Sequence, residues 1–153
     1  MPKGESRERL NGWIASLAGH LGTTPFPAHV TVAGQIETDL DSLPSRLRSI
    51  ARRHPPLTVT LERCDGEERW FRCLFHHVAR TPDLGALREA LMGPSPWTPH
   101  LSLCYGDLEG AEKQPLMDDA EPPVSEFTAD ALHLWDTNGP VDTWKPVAVF
   151  PLG

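Results

Sequence analysis

The hydrophobic positions change period several times along the chain, and each change marks an element. Over residues 5–20, Leu10, Trp13, Ile14 and Leu17 recur at helical intervals, which predicts an amphipathic helix stopped by Gly22. Pro25 and Pro27 bar helix over 23–29. Residues 29–36, HVTVAGQI, alternate and are rich in β-branched residues, so a strand is expected there. Leu43, Leu47 and Ile50 predict a helix over 39–53, with Asp39 or Asp41 as its cap. Residues 57–63 alternate cleanly, Asp65-Gly66 signals a turn, and 70–79 reads as the returning strand of a hairpin. Pro82 opens a short helix over 82–92, and a rigid loop, GPSPWTP, leads to a strand over 100–106. The acidic stretch 107–123 reads as a helix fragment and loop. Strands over 127–136 and 144–152 end the chain, separated by the turn DTNGPVD. Helices mixed with hairpins imply an α+β fold rather than a doubly wound parallel sheet. No linker or low-complexity run divides the chain, so one domain is expected over 1–153.

One pattern occurs twice. His29-Val30-Thr31-Val32 and His100-Leu101-Ser102-Leu103 both read His, aliphatic, hydroxyl, aliphatic, and each follows a proline-containing loop. On a strand, side chains alternate faces, so the aliphatic pair of each tetrad can anchor the core while the histidine and hydroxyl line a cleft. If the two tetrads lie side by side, two imidazoles and two hydroxyls converge. That set suits opening of a cyclic phosphate. One imidazole takes a proton from water and the other protonates the leaving alkoxide, as groups with an ordinary pKa near 6.5 can do. Thr31 and Ser102 can donate to non-bridging phosphate oxygens. His29 and His100 alone lack a third ligand for zinc, so neither metal nor other cofactor is expected.

Charge narrows the substrate. Lys plus Arg number 14 and Asp plus Glu 21, a formal charge of −7, which argues against long RNA or DNA and leaves room for a small cyclic phosphate or nucleotide. The three cysteines, Cys64, Cys73 and Cys104, form no CxxC pair and read as reduced thiols. No apolar run approaches a membrane span and the charged N-terminus does not resemble a secretory signal, so a cytoplasmic, membrane-free monomer is expected. Adjacent strand residues face opposite ways, so at most one of His76 and His77 can reach the cleft. Trp97, Trp135 and Trp144 could stack on a base, although core packing is the simpler reading of each. Arg72 and Lys145 could meet a phosphate, with solvated surface as the simpler reading.

The two tetrads resemble the HxTx and HxSx motifs of the two-histidine (2H) phosphoesterase superfamily. The wider context is similar to its cyclic phosphodiesterases: Thr98-Pro99-His100-Leu101-Ser102-Leu103-Cys104-Tyr105, the aromatic-rich Trp70-Phe71-Arg72-Cys73-Leu74-Phe75, and the ending Thr143-Trp144-Lys145-Pro146-Val147-Ala148-Val149. The resemblance implies a bilobal 2′-5′ RNA ligase-like fold, with two antiparallel sheets related by a pseudo-two-fold and flanked by helices. It implies His29 and His100 as catalytic, Thr31 and Ser102 as phosphate-binding, and Tyr105 as a groove residue; Phe75 and Trp144 are further groove candidates. It also implies hydrolysis of nucleoside 2′,3′-cyclic phosphates to 2′-phosphates, or of ADP-ribose 1″,2″-cyclic phosphate to the 1″-phosphate. The alternatives are an RNA-end-processing relative with the same tetrads and a non-catalytic nucleotide-phosphate binder. Relatives open with a strand before the first helix, and this chain enters the helix almost at once, so that strand is expected to be missing and to leave an exposed gap in a sheet.

Overall fold

The computed structural model of the chain describes residues 1–34, 36 and 42–153. Helix α1 spans Gly4–Leu21 and ends at Gly22, whose left-handed backbone (φ 65°) a glycine adopts without steric cost. It buries Leu10, Ile14 and Ala18. Helix α2 spans Leu43–Ala51 and buries Leu43, Leu47 and Ile50, the apolar face read from the sequence. The expected caps Asp39 and Asp41 lie outside the described residues. Helix α3, Pro82–Met92, keeps its predicted bounds because Thr81 caps it, its hydroxyl accepting from the Leu84 N–H at 3.3 Å, and Pro82 presets the first turn. Helix α4 is Gly110–Asp119.

Strands β1 (Leu57–Asp65), β2 (Leu74–Val78), β3 (His100–Cys104) and β4 (Glu126–Ala129) form one antiparallel sheet in the order β3-β2-β1-β4. Strands β5 (Ala131–Asp136) and β6 (Lys145–Pro151) form a second, two-stranded one. The strand expected over 127–136 is thus two strands. The chain leaves one sheet after Ala129 and joins the other at Ala131, with the Asp130 carbonyl between them held by the Leu152 N–H at 2.8 Å. Among the described residues β6 pairs with β5 alone, and its Val147 and Val149 are more than half exposed.

Two further expectations fail. The described residues of the expected strand 29–36, namely 29–34 and 36, do not form a strand. Their only ladder contact among the described residues is an isolated antiparallel bridge from Val30 to Leu101, and alternation cannot hold a strand that has no neighbour to bond along its length. The expected strand 70–79 begins only at Leu74, because Trp70–Arg72 curl into a 3₁₀ turn. That turn is tied to the far end of β3, where the Trp70 carbonyl accepts from the Gly106 N–H at 3.1 Å.

β2 separates the two adjacent histidines. His76 faces the core, fully buried, with its ring 5.7 Å from Trp13 and Nδ1 2.6 Å from the Glu62 carbonyl. Burial pushes its pKa below 6.5, the Glu62 carbonyl opposing only in part. An unfolded His76 therefore binds a proton at a pH where the folded one does not, so stability falls as pH drops through about 6.5 and levels off below the folded pKa. His29 and His100, also lowered by burial, act in the same direction. The urea midpoint is expected to be lower at pH 5.5 than at pH 7.5. A His76→Gln variant should show a shallower fall, and an unchanged slope would refute the assignment to this residue.

Candidate active site

The bridge from Val30 to Leu101 sets the site. Because it is antiparallel, the tetrads run side by side in opposite directions, with His29 level with Ser102 and Thr31 level with His100. Leu101 is fully buried and Val30 packs against the same core, so the four histidine and hydroxyl side chains belong to the opposite face. β2 extends that face, since Phe75 pairs with Ser102 and His77 with His100. Of the adjacent histidines it is therefore His77 that lies beside the site.

Both tetrad imidazoles are held alike. Nδ1 of His29 is 2.6 Å from the Pro27 carbonyl and Nδ1 of His100 is 3.0 Å from the Thr98 carbonyl, in each case the residue two positions back. A carbonyl only accepts, so Nδ1 carries the proton in both rings and each neutral ring keeps its free lone pair on Nε2. Burial lowers both pKa values; the Pro27 and Thr98 carbonyls oppose this in part. The charge of His100 disfavours the charged form of His29 further, and that of Arg72 does the same to His100.

The other candidates divide. Ser102 is buried, and its hydroxyl donates to the Phe71 carbonyl at 3.3 Å, whereas Thr31 is exposed. Tyr105 is stacked on Phe26 at 3.9 Å, with its hydroxyl 3.5 Å from Nε2 of His29. Burial pushes its pKa up to about 12, so it stays a donor. Phe75 contacts His100 at 5.2 Å between ring centres but is 1% exposed, so it forms the floor beneath the site rather than an open wall. Trp144 stands just before β6, half-buried, its indole N–H donating to the Gly139 carbonyl at 3.2 Å. It lies 5.9 Å from Tyr105 and 6.3 Å from Phe71, nearly parallel to the latter. Trp97 packs with Arg88 instead. Lys145 is exposed, as the simpler reading had it, but Arg72 is not. It lies over the Phe75 ring at 4.8 Å and pairs with Glu67 at 2.7 Å.

Sequence reasoning missed Phe71, whose ring is 56% exposed yet meets both Tyr105 and Trp144. The sequence offered no signal for it beyond its place in an aromatic-rich stretch, because 70–79 read as a strand and the turn at Trp70–Arg72 exposes it. The three thiols are free; Cys64 is pushed up to about 11 by burial, which suits an unreactive role. Among the described residues no helix is long and apolar enough to cross a membrane.

A mixed α+β fold with two histidine tetrads brought together across one bridge is that of the 2H phosphoesterases. The chain belongs to the 2′-5′ RNA ligase superfamily, which matches it over residues 8–140. The cyclic phosphodiesterase of Arabidopsis thaliana is 26% identical to it over 163 residues, covering 97% of this chain and 90% of the plant protein. The crystal structure of E. coli LigT in its apo form aligns with a TM-score of 0.65 over 99% of this chain and 93% of that one; at 19% identity this likeness concerns the fold alone.

Proposed function

We propose that this protein is a phosphodiesterase that opens small cyclic phosphates without a metal, using His29 and His100 as an acid–base pair. The observation that carries the reading is the matched tethering of the two imidazoles, which leaves two Nε2 atoms on one face. A neutral imidazole takes the proton of the attacking water, and the other, protonated, gives its proton to the departing ring oxygen. Thr31 and Ser102 bind the phosphate, Ser102 by turning its hydroxyl from the Phe71 carbonyl to a phosphate oxygen. Tyr105 donates alongside them. Phe71 and Trp144 offer aromatic faces to a base, which favours nucleoside 2′,3′-cyclic phosphates, opened to 2′-phosphates, over base-free cyclic esters. ADP-ribose 1″,2″-cyclic phosphate presents the same reactive group. The name of the plant relative supports a cyclic phosphodiesterase, and the −7 charge weighs against a protein that tracks long RNA.

The test is incubation with 2′,3′-cyclic AMP in excess EDTA. A 2′-phosphate product carries the proposal, and intact cyclic nucleotide after hours would end it. Ligation or cleavage of RNA ends in preference to the mononucleotide would favour the RNA-processing alternative.

The pH dependence has a worked sign. Turnover needs one imidazole charged and one neutral, so kcat/KM peaks between the two free-enzyme pKa values. Both are lowered from 6.5, so the maximum is expected on the acid side of pH 6.5, with activity falling as pH rises. Bound phosphate favours the charged imidazole, so the kcat optimum should lie higher. A profile flat between about pH 5 and 8 would argue against two titrating imidazoles.

A further inference from the structure

The loop joining β1 to β2 is the most charged stretch near the site, and its sequence closes it on itself. Asp65 accepts from the Gly66 N–H at 2.8 Å, the Glu67 N–H donates to the Arg72 carbonyl at 3.0 Å, and the Arg72 N–H donates to the Arg69 carbonyl at 2.9 Å. Gly66 has no room for a side chain, since a Cβ there would stand 2.8 Å from the Cys73 carbonyl oxygen. From α4, the buried Lys113 donates to the Glu67 carbonyl at 2.8 Å. Arg72 is thus fixed at its backbone, and its side chain is fixed as well, by the 2.7 Å ion pair to Glu67 and by the Phe75 ring beneath it. That ring also contacts His100, and the residue before Arg72 accepts the Ser102 hydroxyl.

We propose that Arg72 is a further phosphate-contacting residue, its guanidinium supplying positive charge to a non-bridging oxygen of the substrate. This inference rests on the hydrolase reading above. A cyclic phosphate diester carries one negative charge and gains more as water adds to phosphorus, whereas Thr31, Ser102 and Tyr105 are neutral donors. A charge-assisted bond from arginine is stronger than theirs, and a fixed one costs no reordering when the charge develops. Glu67 does not fully neutralise Arg72, because the same carboxylate also faces Arg69 at 3.7 Å. The ion pair occupies one Nη2 contact of a group with five N–H donors. Arg63, on the other side of His77, is already paired with Asp65 at 3.2 Å.

The experiment compares Arg72→Gln, Arg72→Lys and Glu67→Gln with wild type, measuring turnover of 2′,3′-cyclic AMP, calorimetric binding of inorganic phosphate, and thermal unfolding. Arg72→Gln is expected to lower kcat by about 10²-fold and to weaken phosphate binding by about tenfold or more, with Arg72→Lys intermediate. Glu67→Gln breaks the same ion pair but keeps the cation, so it should bind phosphate as well as wild type or better. Equal losses in Arg72→Gln and Glu67→Gln would mean a purely structural ion pair and overturn the proposal, as would a Gln variant within twofold of wild type in both assays. If Arg72→Gln does not fold, Arg72→Lys and Glu67→Gln decide: phosphate binding weakened in Arg72→Lys but not in Glu67→Gln supports the contact, and equal binding or parallel loss in the two overturns it. A wild type that binds phosphate in an Arg72-dependent way yet turns over nothing would sink the hydrolase reading and keep the contact. A wild type that binds no phosphate overturns the contact, and one that in addition turns over nothing sinks both.

Discussion

His29→Ala and His100→Ala are each expected to lower kcat on 2′,3′-cyclic AMP by about 10²–10⁴-fold, the range that a single positioned acid or base contributes. The double variant should lose far less than the product of the two losses, because a proton relay missing one member gains little from the other. Phosphate binding should survive in each single variant, since the donors that grip the phosphate are other residues. Steady-state kinetics together with phosphate titration separate the outcomes. Single variants with near-wild-type turnover would remove the paired acid–base role, and variants that bind normally beside a wild type with no turnover would favour the binding-protein alternative.

Leu101→Ala is expected to have the largest effect on stability. Leu101, the second residue of its tetrad, is fully buried and is the partner of Val30 in the bridge that aligns the two tetrads. Truncating a buried leucine costs about 2–5 kcal/mol through lost transfer free energy and the cavity left behind. A urea midpoint shifted by that amount, beside a Val147→Ala control changed by no more than about 0.5 kcal/mol, is the expected result. Val147 is 58% exposed on β6, so little is lost when it is shortened. Leu101→Ala should also lower the activity of the molecules that remain folded, because the bridge holds His29 level with Ser102. Unchanged stability would show that this contact is not part of the core.

What could be read from the chain tracks how local the deciding interactions are. Thr81 and Pro82 fix the start of α3 by themselves, and strand β1 declares itself by alternation. The two tetrads were legible because a four-residue pattern repeated, and the bridge at Val30 and Leu101 joins them as that reading required. Three features were hidden. Residues 29–36 have the composition of a strand, but those of them that the structure describes meet a ladder partner at Val30 alone. The break at Asp130 is set by which sheet each half of the segment can pair with. Trp70–Arg72 turn because carbonyls in that stretch meet Gly106 and Ser102, more than 30 positions away in sequence. Arg72 was open to a phosphate-binding reading in the sequence, but solvated surface was the simpler one, and the reason it fails is equally non-local. Nothing local to it indicates that a buried phenylalanine three residues on will form a shelf beneath it.

The two imidazoles take their orientation from a carbonyl two residues upstream in their own chain segment, rather than from a distant carboxylate as in many histidine enzymes. Aim and tautomer are therefore written into a stretch of only a few amino acids, a cassette that can be moved or copied whole. A gene duplication that places two such cassettes head to tail yields a near-symmetric reaction centre at once, with no third partner to recruit. The tether itself favours neither ring as donor or acceptor, so what tells the two apart is their surroundings, the Tyr105 hydroxyl beside His29 and the charge of Arg72 near His100.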